Sequence, residues 1–185
     1  MPRFLRQALP DVILVEPDLH RDERGFLLET WQVERWREGG IAETFVQDNH
    51  SRSVRGTLRG LHAQLRSPQG KLVRCMEGEV FDVAVDIRHD SPSFGKWTGA
   101  RLSASDFHQL WVPPGFAHGF CVMTEHAQLE YKCTRLYAPD DEITLAWNDP
   151  GLAIPWPVDD PILSAKDQRG LSLAEVRQRV ARARG

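Results

Sequence analysis

With 185 residues, 41% hydrophobic and 26% charged, the chain has the length and balance of one globular domain; collagen-like, low-complexity and disordered readings are excluded. Its 23 basic and 26 acidic residues leave a formal net charge of −3, with no bulk attraction to nucleic acid or an anionic membrane. No run of about 18 apolar residues exists to form a membrane-spanning helix, and three cysteines without C-x-x-C spacing argue against a disulfide framework or zinc ribbon.

A single domain over 1–185 in the cytoplasm is the expectation. Met1 to Leu9 carries Arg3 and Arg6 but no apolar run of signal-peptide length. Cys75, Cys121 and Cys133 read as buried thiols. In chain order, a strand is predicted at Val12–Val15, then a short helix at Gln32–Glu38 stopped by Gly39-Gly40. Strands follow at Phe45–Ser51 and Gly56–Leu65. Lys71–Met76, Glu77-Gly78 and Val80–Ile87 read as a hairpin, with Phe81, Val83, Val85 and Ile87 on one parity and Asp82 and Asp86 on the other. Further strands are expected at Gln109–Val112, Gly119–Thr124, Ala127–Leu136 and Leu145–Asn148. Ser172-Leu-Ala-Glu175 is a capping-box pattern opening a C-terminal helix. That helix presents Arg177, Arg179, Arg182 and Arg184 as a solvated face. The class is mainly β: a sandwich, barrel or jelly roll with few helices.

Chemistry concentrates in Val54–Leu65 with the following Lys71, in Trp111–Phe120, and in Glu130–Tyr137 with the later Leu163–Asp167. Alternation puts Tyr131 on the face of Leu129 and Cys133, and Lys71 on the face of Val73 and Cys75. An inward lysine and tyrosine belong in a ligand cavity rather than a dry core. Strict alternation also sends Arg59 and His62 to opposite faces. If both line one cavity, the strand must bulge, and Gly60 permits that. Pro113-x-Gly115-x-x-His118 matches part of a metal-binding cupin motif. His62-Ala-Gln64 breaks the H-x-H pair such a site needs, and His108 and His126 stand alone, so no metal is expected. No G-x-S-x-G setting supports a serine hydrolase.

Taken in order, several segments resemble the dTDP-4-dehydrorhamnose 3,5-epimerase family of cupin-like jelly rolls. They are Arg21-Asp-Glu-Arg-Gly-Phe26 with Glu29, Val46-Gln-Asp-Asn-His-Ser51, Arg55–His62, Gln69-Gly-Lys-Leu-Val73, Pro114–Phe120, Tyr131-Lys-Cys-Thr with Tyr137, and Leu163-Ser-Ala-Lys-Asp167. The resemblance implies His62 as the base, oriented by Asp167, with Tyr131 as the opposite-face acid and Lys71 at the 4-keto oxygen. It implies that Arg24, Glu29, Gln47, Asp48, Asn49, Arg59, His118, Glu142 and Lys166 hold the nucleotide sugar, with Tyr137 stacked on the base. It also implies a homodimer that exchanges N-terminal strands, and dTDP-4-dehydro-6-deoxy-D-glucose as substrate. Ala63 departs from the family, which often has an aromatic after the histidine, and 33–44 match no tight motif.

The chemistry fits these residue types. Epimerisation beside a ketone needs a base on one face, an acid on the other and a donor for the enolate oxygen; no cofactor is required. Related readings are a one-carbon epimerase or ketoisomerase on the same fold, with Tyr131 favouring double inversion. A non-catalytic sugar-nucleotide-binding cupin is the reading from another class.

Overall fold

The computed structural model describes residues 1–183; Arg184 of the predicted arginine face lies outside them. The N-terminal part holds β1 (Arg3–Arg6), β2 (Ile13–Glu16), β3 (Leu19–Asp22), β4 (Gly25–Leu28) and helix α1 (Val33–Glu38). Next come β5 (Gln47–Val54), β6 (Leu58–Gln64), β7 (Lys71–Glu77), β8 (Glu79–Asp86) and β9 (Trp97–Ser103). The remainder is β10 (Gln109–Val112), β11 (Phe116–Val122), β12 (His126–Cys133), β13 (Glu142–Thr144) and helix α2 (Leu173–Ala183).

Two antiparallel sheets face each other, one ordered β1-β2-β10-β7-β12-β5 and the other β13-β6-β11-β8-β9, while β3 and β4 form a separate hairpin. This is the jelly-roll sandwich expected from many short strands. Val73, Leu110 and Leu129 of the first sheet pack against Val80, Ala84 and Phe120 of the second. Each outer face is partly covered as well. Trp36 of α1 and Ile41 pack on Ile13, Leu72 and Trp111, and Val176 and Val180 of α2 pack with Val83, Val85 and Ala117.

Both helices keep the predicted ends. Gln32 caps α1 by accepting from the Arg35 N–H at 2.7 Å. At α2, Ser172 Oγ accepts from the Glu175 N–H while Glu175 Oε2 accepts from the Ser172 N–H, a reciprocal capping box.

The hairpin reading of Glu77-Gly78 is overturned, because β7 and β8 belong to different sheets and do not pair. Gly78 (φ +75°) is a corner pressed against the chain near His126, where a Cβ would lie 2.2 Å from the His126 carbonyl oxygen. β8 is consequently buried on both faces. Val80 and Ala84 enter the inter-sheet core, and Val83, Val85 and Ile87 enter the core under α2. Asp82 and Asp86, read onto an outer face, are fully buried.

Other corrections are local. The predicted strand at Leu145–Asn148 is displaced: Glu142–Thr144 pairs with β6, and Leu145 follows with backbone hydrogen bonds to Leu61 and an isolated bridge to Leu171, after which the ladder ends. β11 begins at Phe116 rather than Gly119, directly after the Pro113-Pro114-Gly115 turn, and β12 stops at Cys133. Phe45 precedes β5 and packs edge-on against Trp31 and Trp111. β1, β3, β4 and β9 were not anticipated. The first three carry mostly exposed side chains, so no burial alternation marks them.

Candidate active site

A cavity of ≈ 270 Å³ between the sheets is lined by Ser51, Arg59, His62, Lys71, His118, Phe120, Tyr131, Tyr137, Glu142, Ser164, Lys166 and Asp167. Arg59 and His62 reach it together because β6 bulges. His62 stands opposite His118 and Arg59 opposite Phe120, so the register shifts between these pairs. Gly60 takes φ +128°, and a Cβ there would lie 2.5 Å from the Cα of Gly119. The bulge therefore depends on two glycines meeting back to back.

The five-stranded sheet supplies His62. Its Nε2 lies 2.6 Å from Asp167 Oδ1, and Ser164 Oγ donates to Asp167 Oδ2 at 2.8 Å. With Nε2–H donated to the carboxylate, Nδ1 carries the lone pair, 4.0 Å from Glu142 Oε1. Burial alone would raise the Asp167 pKa. The hydrogen bond and charge of His62, the Ser164 hydroxyl and the nearby Lys166 outweigh it and hold the carboxyl below its ordinary range.

The opposite sheet supplies Lys71 and Tyr131. Lys71 pairs across β7 and β12 with Cys133, and Tyr131 with Val73, so the ammonium and phenol are diagonal neighbours on the inner face. Burial depresses the Lys71 pKa, opposed by the charges of Cys133, Glu142 and Asp82. Burial also raises the Tyr131 pKa, which keeps the phenol protonated and able to donate. All three cysteines are free and buried; burial pushes Cys75 and Cys121 to about 11, which makes them inert thiols.

At the mouth, Tyr137 is 51% exposed. Its hydroxyl donates to Glu142 Oε2 at 3.1 Å, and its N–H donates to Gln47 Oε1 at 2.9 Å. Lys166 Nζ donates to the same Glu142 oxygen at 2.6 Å. Arg59 Nε donates to Ser53 Oγ at 3.0 Å. Gln47 and Asn49 share the inner parity of β5, bonded to each other, and Asn49 also contacts Cys133 Sγ.

Three predicted site residues lie elsewhere. Asp48 is on the outer face of β5, held by Lys132 Nζ at 3.1 Å, because its parity is opposite to that of Asn49. Arg24 sits at the tip of the β3–β4 hairpin with its guanidinium on Asp22, and Glu29 binds Arg35 Nη1 at 2.7 Å. Neither lines this chain's own cavity.

Sequence reasoning missed Asp82, whose fully buried carboxylate holds His118 Nε2 at 2.8 and 3.0 Å. A signal existed: an aspartate inside the apolar run Val80-Phe-Asp-Val-Ala-Val needs a partner if both faces are covered. Ser51 was also missed; its Oγ is buried with no hydrogen-bond partner among the described residues. No described helix is long and apolar enough to cross a membrane.

Fold and site together define a cupin-like jelly roll with an acid–base site between its sheets. A family model described as dTDP-4-dehydrorhamnose 3,5-epimerase matches residues 6–175, and the chain belongs to that family. A dTDP-4-dehydrorhamnose 3,5-epimerase from Pseudomonas aeruginosa is 55% identical over 172 residues, covering 92% of this chain and 95% of the relative. The solved epimerase of Legionella pneumophila, in complex with dTDP-4-keto-L-rhamnose, superposes with a TM-score of 0.91 at 46% identity, covering 95% of this chain and 97% of the other. A 3'-monoepimerase from Streptomyces bikiniensis is more distant, at 33% identity and a TM-score of 0.85, covering 93% and 88% of the two chains. A double mutant of that monoepimerase, changed at a histidine and a tyrosine, is also solved.

Proposed function

We propose that this chain inverts carbons 3 and 5 of dTDP-4-dehydro-6-deoxy-D-glucose, giving dTDP-4-dehydro-L-rhamnose. The observation that carries the reading is that His62 and the Tyr131–Lys71 pair project from opposite sheets into one cavity. His62 Nδ1 removes the proton beside the ketone, and Asp167 stabilises the imidazolium that forms. The Lys71 ammonium donates to the enolate oxygen, an interaction worth about 2.7–4 kcal/mol when one such donor is removed. Tyr131 returns a proton to the opposite face. Arg59 meets the diphosphate through charge-assisted hydrogen bonds, with His118, Lys166, Glu142, Gln47 and Asn49 around the sugar nucleotide and Tyr137 stacked on the base.

The chain works in this reading as a single epimerase domain in the cytoplasm, and as a homodimer. Phe26 and Leu27 of the β3–β4 hairpin are 55% and 73% exposed, and Arg24 and Glu29 do not line their own chain's cavity, which suits a hairpin that completes a second copy's site. Asp48 has no place at the substrate in this scheme.

The test is solvent deuterium exchange into the 4-keto sugar nucleotide, with a reductase trapping the product. Exchange at both carbons supports the proposal. Exchange at carbon 3 alone selects a one-carbon epimerase, and binding without exchange selects a non-catalytic cupin.

A further inference from the structure

Two histidine–carboxylate pairs face the same cavity, and the scheme above uses only one of them as such. The second is His118–Asp82. His118 is 6% exposed, Asp82 is fully buried, and His118 is the direct cross-strand partner of His62. Side chains so paired have Cβ atoms roughly 4.5–5.5 Å apart, close enough for two imidazole rings to meet. Each ring bonds its carboxylate through Nε2. His118 Nδ1 has no hydrogen bond to any described residue, as expected of a nitrogen left for other use.

The side-chain hydrogen bonds of the Asp82 carboxylate, among the described residues, are those with His118. A buried carboxylate is costly unless a positive charge faces it. The Lys71 ammonium, which feels the Asp82 charge, supplies part of that compensation, and a proton accepted by His118 completes it at hydrogen-bond distance. Double inversion creates the need for one. Each inversion leaves a proton on His62 and removes one from Tyr131, so the second carbon cannot react until both groups are reset.

We propose that His118, positioned by Asp82, carries the resetting proton from His62 between the two inversions. This rests on the 3,5-epimerase reading and deepens it. The His62 imidazolium gives its Nδ1 proton to His118 Nδ1, and Asp82 stabilises the new imidazolium. The Lys71 ammonium, diagonal to Tyr131, gives a proton to the phenolate and is recharged from His118. His62 ends neutral and Tyr131 protonated, with no net gain or loss of protons.

The test uses full-length Asp82→Asn and His118→Gln, checked for folding by circular dichroism. Glutamine at 118 keeps a donor toward Asp82 but cannot carry a proton as imidazole does. Singly and doubly inverted products are separated after reductase trapping. In both variants the second inversion should slow about 100-fold relative to the first, the lower end of what a positioned acid–base group contributes, so singly inverted product accumulates. Equal slowing of both inversions, or an unchanged product ratio, overturns the relay while leaving the epimerase reading intact. Wild-type protein that exchanges at neither carbon overturns the epimerase reading, and the relay falls with it.

Discussion

Asp167 Oδ1 lies 2.6 Å from His62 Nε2, although the two residues are 105 positions apart in the chain. The carboxylate comes from a 3₁₀ turn at Asp167–Arg169, held by Ser164, and is only 3% exposed. A contact between such distant segments forms only when the C-terminal region docks beside β6. Formation of the base is thus coupled to completion of the fold.

Asp167→Asn keeps the size of the side chain but removes the charge that, in the proposed scheme, stabilises the His62 imidazolium and fixes its tautomer. Proton exchange should fall about 10²- to 10⁴-fold, the range for a positioned acid–base system. Thymidine diphosphate affinity, read by calorimetry, should stay near wild type. Unchanged exchange would remove Asp167 from the scheme.

In the proposed scheme, Lys71 should set the basic side of the pH profile. Burial lowers its pKa, and the nearby charges of Cys133, Glu142 and Asp82 only partly compensate. With the ammonium as enolate donor, activity should be retained below this lowered pKa and lost as pH rises through it. The basic limb of kcat/KM should therefore lie below the ordinary lysine value near 10.4. Lys71→Met should abolish that limb and reduce exchange by about 2.7–4 kcal/mol of transition-state stabilisation. A limb that persists unchanged in Lys71→Met belongs to another group.

Side-chain direction is legible in the sequence where one face of a strand is buried and the other is not. Tyr131 and Lys71 alternate with apolar neighbours, and both point inward. The need for a bulge at Gly60 followed from Arg59 and His62 having opposite parities. Alternation carries no such information at β8, because α2 covers its second face. Asp82 then looked solvated when it is fully buried. Gly78 is ambiguous in the same way, since a Glu-Gly corner between sheets and a tight hairpin turn have the same local pattern. β3 and β4 carry mostly exposed residues, and only family resemblance drew attention to them.

Gly60→Ala tests the bulge directly. The new Cβ would meet the Gly119 Cα at 2.5 Å and the His118 carbonyl oxygen at 2.8 Å, in a left-handed backbone region. Backbone strain and overpacking each cost about 1–3 kcal/mol, so urea denaturation should show a loss of at least about 2 kcal/mol. The folded fraction should also lose exchange activity, because relief of the clash moves Arg59 and His62 out of register. Wild-type stability in this variant would mean that β6 does not need the close approach to β11.

Variants at Tyr137 should separate binding from chemistry. Its ring is half exposed at the mouth, and its hydroxyl bonds Glu142, which also holds Lys166. If the ring stacks on the nucleotide base, Tyr137→Ala removes a contact worth about 1–3 kcal/mol by analogy with base–aromatic stacking elsewhere. KM should rise by about 5- to 150-fold with kcat little changed, since ground state and transition state share the lost contact. Tyr137→Phe keeps the ring but drops the bond to Glu142, and should bind the nucleotide almost as well as wild type. If phenylalanine is as damaging as alanine, the hydroxyl's hold on Glu142 matters and stacking does not.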